Sequence, residues 1–165
     1  MELDATATLI DLLRETFEGQ VGAWTWIVDT RPGSGVFGAI EWLTHEQAFA
    51  APAAGMKSVA AHVSHLRFAL DLTCERLQGA NPPADWASSF DTPEPSDEAW
   101  QHLKAELRRA YMAVLEQVRR VCAQPLHAMP AIYLIGITAL IGHNAYHLGA
   151  IRQLVRLLER DDATI

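Results

Sequence analysis

The sequence predicts an all-α fold built on four main helices. Apolar residues recur at three- and four-residue spacing along four long segments. That is the period of one helix face, not the two-residue alternation of a strand. Capping and stop residues stand near the ends of those segments. No strand-like alternation, internal repeat or low-complexity stretch interrupts the pattern. Four helices of this kind pack as a bundle, and 165 residues suffice for one domain, 1–165, with a proper core.

The first helix is expected over 4–17. Asp4 suits its N-cap, and Leu9, Leu12, Leu13, Thr16 and Phe17 form its inner face. Gly19 and Gly22 loosen the chain, and Arg31-Pro-Gly-Ser-Gly35 reads as a loop. Short helical pieces follow from Val36 to Leu43 and near Glu46 to Phe49, before the Ala51-Pro-Ala-Ala-Gly55 break. The second main helix is expected over 58–78. Ser58 opens it, Val59, Leu66, Leu70 and Leu77 mark its stripe, and Gly79 stops it. The run from Asn81-Pro-Pro to Asp91-Thr-Pro-Glu-Pro95 is a long irregular connection. Ser96, with Asp97 and Glu98 in the first turn, starts a third helix over 97–122. Its stripe is Trp100, Leu103, Leu107, Tyr111, Val114, Val118 and Val121. Pro130 suits the first turn of a fourth helix over 130–159. The first half of that helix is apolar nearly all round, so it is expected to be the most buried element.

Composition narrows the function classes. Half the residues are hydrophobic, one fifth are charged and the formal net charge is -7, with a pI near 5.4. No basic run is present, which argues against nucleic acid as a partner. Cys74 and Cys122 lack metal-binding spacing and read as reduced thiols. The acidic start Met1-Glu2-Leu3-Asp4 is unlike a signal peptide. The longest apolar run, 129–142, is shorter than the ~20 residues that span a bilayer. The expectation is a cytoplasmic protein with no membrane partner.

The chemistry concentrates in histidine. His143 and His147 are four residues apart in Gly142-His-Asn-Ala-Tyr-His-Leu-Gly149, one turn above each other on one helix face. Ile135, Ala139, Ala150 and Leu154 share that face, where an imidazole is costly to bury unless its nitrogens find partners. Metal ligation satisfies both rings at once; hydrogen bonding within a core is the plainer alternative. Asn144 stands where the zinc-protease motif places its general-base glutamate, so that motif is absent. His62 and His65 offer a third imidazole. Periodicity places His62 nearer the middle of the stripe of Val59, Leu66, Ala69 and Leu70, with His65 at its edge beside Ala69 and Leu72. Three imidazoles from two helices would leave open positions on an ion, the pattern of a reactive centre.

Other residues have plainer explanations. His45, His102 and His127 lie near polar or loop residues and read as surface histidines. The tryptophans at 24, 26, 42, 86 and 100 could line a pocket, but core packing is the expectation. Asp85-Trp86 and Ser88-Ser89 read as a turn, and Arg108, Arg109, Arg119 and Arg120 as the solvated face of the third helix.

His143-x-x-x-His147-x-Gly149 followed by Ala150-Ile-Arg-Gln-Leu154, together with Ser58-Val59, His65-Leu66 and Gly79, resembles the DinB-like superfamily of metalloenzymes. The likeness extends over the helices and is weaker at 19–55 and 80–95. It implies a four-helix bundle with a long crossover connection, and a divalent metal on His65, His143 and His147. His62 then becomes a neighbour or substitute ligand. It also implies frequent homodimers and, in some relatives, transferase or isomerase reactions that use a low-molecular-weight thiol.

These readings converge on a metal-dependent enzyme acting on a small molecule, by hydrolysis or thiol transfer. Zinc or nickel suits an imidazole set. Tyr146 points about 100° away from His147 around the helix and is a weak acid/base candidate. The alternatives are a non-catalytic metal- or ligand-binding module of stress response, and a metal-free bundle whose histidines only hydrogen-bond.

Overall fold

A computed structural model describes residues 5–162. It is all-helical among those residues: α1 (Ala5–Glu18), α2 (Val36–Ile40), α3 (His45–Phe49), α4 (Val59–Leu77), α5 (Asp97–Cys122) and α6 (Ala131–Asp162). The four long helices lie within a few residues of the segments the periodicity predicts. Asp4, the expected cap of the first helix, lies outside the described residues.

The helix ends follow local chemistry. Ser58 accepts the Ala61 N–H at 3.2 Å and Ser96 the Ala99 N–H at 3.1 Å, each satisfying a donor the first turn leaves open. α4 ends in a Schellman turn: Gly79 has φ +91°, its N–H donates to Arg76 O, and Ala80 N–H donates to Glu75 O. Thr44 and Gln47 form a capping box at α3. Pro130 stands just before α6, where its carbonyl accepts the Tyr133 N–H at 2.9 Å.

Four long helices enclose the core. α4 packs against α5 and α6, and α1 against the same two. The whole α5 stripe from Trp100 to Val121 is buried, facing Leu66 and Leu70 of α4 within one apolar cluster. Trp100 Nε1–H donates to Leu43 O at 2.9 Å, which settles its one polar atom. Phe17, Phe37 and Tyr111 pack ring on ring with centroids 4.8–5.4 Å apart. Gly33 and Gly38 let loop and α2 touch: a Cβ on Gly38 would lie 2.2 Å from Gly33 Cα.

Two expectations are corrected. The first half of α6 is not the most buried element. Ile132 and Ile135 are 68% and 61% exposed, and only the face of Ile137, Leu140 and Ile141 enters the core. The opposite side borders an open cleft against α4. Of the tryptophans only Trp100 packs in the core; Trp24, Trp26, Trp42 and Trp86 are exposed. The first three stand outside the long helices, so no helix-to-helix contact covers them. By length and composition α6 could also cross a membrane, since its apolar character extends past the 129–142 run. It packs, however, against α1, α2 and α4 and carries the buried polar residues Asn144 and His147, so this is weak evidence for a span.

Candidate metal centre

α4 and α6 run antiparallel where their histidines meet. His65 Nε2 lies 2.9 Å from His143 Nε2, and His62 Nδ1 lies 2.9 Å from His147 Nδ1. A step back along α4 thus pairs with a step forward along α6. His65, His143 and His147 each bring a ring nitrogen within 4.8 Å of the other two. His143 and His147 reach this point because four residues make about one turn.

The burial preference drawn from periodicity is overturned. His65 is buried and His62 only half-buried. The period assumes one inward face, but α4 has a second cover: the 3-10 turn Ser88–Phe90 folds back against it. Phe90 stacks on the His65 ring at 3.9 Å with an interplanar angle of 9°, and Trp86 stands 5.7 Å from it.

Ser89 fixes the protonation of His65. Its hydroxyl donates to Trp86 O at 2.7 Å, which uses its one proton. The His65 Nδ1 at 2.6 Å from the same oxygen must then donate. Nε2 of His65 is left with its lone pair, turned toward His143. On the other side, a His147 Nδ1–H donating to His62 Nδ1 leaves Nε2 of His147 as a lone pair. Such partners on the far nitrogen set tautomer and orientation in metal-binding histidines.

All four rings are held neutral at ordinary pH. Burial, then the neighbouring His143 and His62, pushes His65 down to about 4. Burial, then His143, His65 and His62, pushes His147 down to about 3. Burial also lowers His143, and burial followed by Lys57 lowers His62. A metal ligand must be the neutral imidazole, so this donor set fits a divalent ion. No carboxylate contributes to these shifts, so three histidines would leave the ion its full charge.

The remaining candidates stay apart. His102 and His127 are exposed, and His45 pairs with Glu46 at 3.2 Å. Tyr146 is 73% exposed, its ring edge-on to His147 at 5.0 Å. Neither Cys74 nor Cys122 is in a disulfide. Trp86 borders the cleft, the pocket-lining alternative for the tryptophans; the residues that the sequence does not assign to the site are Ser89 and Phe90. Their only signal was a turn, and nothing in a turn says which helix it closes over. The centre opens on a cleft of about 810 Å³ between α4 and the first half of α6, bordered by His65, His143 and Trp86.

No curated protein and no solved structure matches the chain. A family model described as the DinB superfamily matches residues 35–151, a span from α2 through both α6 histidines. With well over half its length matched, the chain belongs to the DinB superfamily.

Proposed function

We propose that this chain is a metal-dependent enzyme acting on a small molecule at His65, His143 and His147. The observation that carries the reading is three neutral imidazoles from two helices, converging within 4.8 Å at the end of a cleft sized for a small ligand. Zinc or nickel suits these donors. Such an ion supplies Lewis acidity, which activates water or a low-molecular-weight thiol at neutral pH. The chain's own residues do the rest. Ser89 holds the His65 tautomer, His62 holds the ring of His147, and Phe90 and Trp86 shield the centre from bulk water. The architecture in this reading is a four-helix bundle of the DinB-like type, with the crossover carried by the 78–96 connection: Arg120 of α5 reaches Leu77 O at the end of α4, and the segment between runs back along α4 to Ser64 and His65. The setting is cytoplasmic. A homodimer fits the exposed indoles of Trp24, Trp26 and Trp42, which a second chain would cover.

The test is metal content of the purified protein, followed by turnover assays of activated esters and of electrophiles with and without a small thiol. Stoichiometric metal with metal-dependent turnover supports the reading. Protein that binds no divalent ion overturns it. The second reading is a non-catalytic metal- or ligand-binding module. One observation favours it: the groups that shift the three histidines include no carboxylate to serve as a general base. Stoichiometric metal without turnover of any substrate would select it.

A further inference from the structure

The cleft beside the histidines has a direction. On α4 its wall is His65, Ala69, Leu72, Thr73 and Arg76. His65 and Arg76 are eleven residues apart, which is about 16 Å along a helix and only about 20° around it. On α6 the facing wall runs from His143 back to Ile132, again eleven residues. Because the helices are antiparallel, the two walls share both ends. The histidines close one end, and Arg76 stands toward the other.

The chemistry along that length is uneven. Ala69, Gly136 and Ala139 leave the space open, while Leu72, Ile132 and Ile135 make it apolar. The hydroxyl of Thr73 already donates to Ala69 O at 2.8 Å. Arg76 is the one residue among lysine, arginine, aspartate and glutamate on the lining. No ion pair joins Arg76 to any described residue. Its position in the last turn of α4 suits the helix dipole, but that role does not require it to border the cleft. In a chain of net charge -7, an unpaired guanidinium at the far end of an apolar trough is a local preference for an anion.

We propose that the cleft binds an elongated amphiphile, with an anionic end group at Arg76, an apolar body along Ala69, Leu72 and Ile135, and its reactive end at the histidines. This assignment rests on the functional reading above for the reactive end only; binding of the amphiphile does not need the metal.

The test is calorimetric titration of the purified protein with decanoate, decyl phosphate and decanol, below their aggregation limits. Wild type should bind either anion with one site per chain and more tightly than decanol; the ratio between the two anions identifies the end group. Arg76→Gln should weaken anion binding about 10-fold or more, the loss of a charge-assisted hydrogen bond, and leave decanol unchanged. Gly136→Leu should weaken all three at least about 10-fold. A Cβ at Gly136 meets no atom within 4 Å, and leucine is the better helix former, so this variant fills the cleft without threatening the fold. The proposal is overturned if wild type binds none of the probes, if Arg76→Gln binds the anions as wild type does, or if Gly136→Leu leaves binding intact. It is also overturned if Gly136→Leu dissociates a wild-type dimer, because a second chain then covers the cleft. Metal affinity of both variants should equal wild type. Metal binding without amphiphile binding rejects this inference alone; amphiphile binding without metal rejects the metalloenzyme reading and leaves the cleft assignment standing.

Discussion

Ser89 Oγ lies 2.6 Å from His65 Nδ1 and donates its own proton to Trp86 O at 2.7 Å. One hydroxyl therefore aims Nε2 of His65 at the centre and ties the 80–95 connection to α4. Ser89→Ala should lower metal affinity about 10- to 100-fold, the usual range for losing such a partner. Competition against a chromophoric chelator reads this directly. Unchanged affinity with intact helical circular dichroism would mean that the tautomer is set by something else.

His147→Ala should remove most metal affinity, since two imidazoles rarely hold such an ion against solvent, and His65→Ala should do the same. His62→Ala should cost less, because His62 meets the centre through His147. Metal titration of the three variants separates the roles. Normal binding by His65→Ala with loss in His62→Ala would exchange the two residues. Normal binding by all three would remove the site.

The contrast between His62 and His65 marks where the sequence stops being legible. Helix positions were readable because burial of α5 follows a single period, and the caps Ser58 and Ser96 mark where α4 and α5 begin. The α6 pair was readable because i and i+4 share a face whatever surrounds them. The choice on α4 depended on Ser88–Phe90 covering a second face, a contact between segments 24 residues apart that no period encodes. The same limit hid the cleft. An apolar run predicts burial, but Ile132 and Ile135 stay exposed because the α4 residues opposite them are small or polar.

Glu15 is another contact the pattern did not reveal. It is 2% exposed, and its Oε1 accepts the N–H groups of Trp26, Ile27 and Val28 at 2.7, 2.7 and 3.0 Å. Three successive donors around one carboxylate oxygen form an anion nest, which anchors the irregular 19–35 connection to α1. Glu15→Ala leaves those donors without their acceptor. Of the three donors only that of Val28 is in a buried bond, so at about 1–3 kcal/mol for a buried group left unpaired the loss should be at least about 1 kcal/mol. Glu15→Gln retains an acceptor and should lose less. Urea unfolding monitored by circular dichroism measures both, and a loss for Glu15→Ala within error of zero would refute the anchor.

The histidine cluster should also make the metal-free protein acid-sensitive above the range where carboxylates titrate. In the unfolded chain each imidazole takes up a proton near 6.5. In the folded chain burial lowers all four, and the neighbouring imidazoles add to it at His65 and His147, which reach about 4 and about 3. Below 6.5 the unfolded state therefore binds more protons, and stability falls as pH falls. The contribution is intact above 6.5 and is lost progressively from there toward 4 and 3. Melting temperature without metal should drop measurably between pH 7 and 5, and His147→Leu should flatten that drop. The same shifts move the acid limit of metal binding. A reference histidine would lose its ion near 6.5, but burial lowers all three ligand rings below that, His65 to about 4 and His147 to about 3, so the midpoint for loss of zinc should lie below 6.5. Thermal melts and zinc titrations across the same pH series test both statements. A flat melting temperature, or zinc affinity with its midpoint at 6.5, would mean that the cluster is more solvated than its packing under Phe90 and Trp86 indicates.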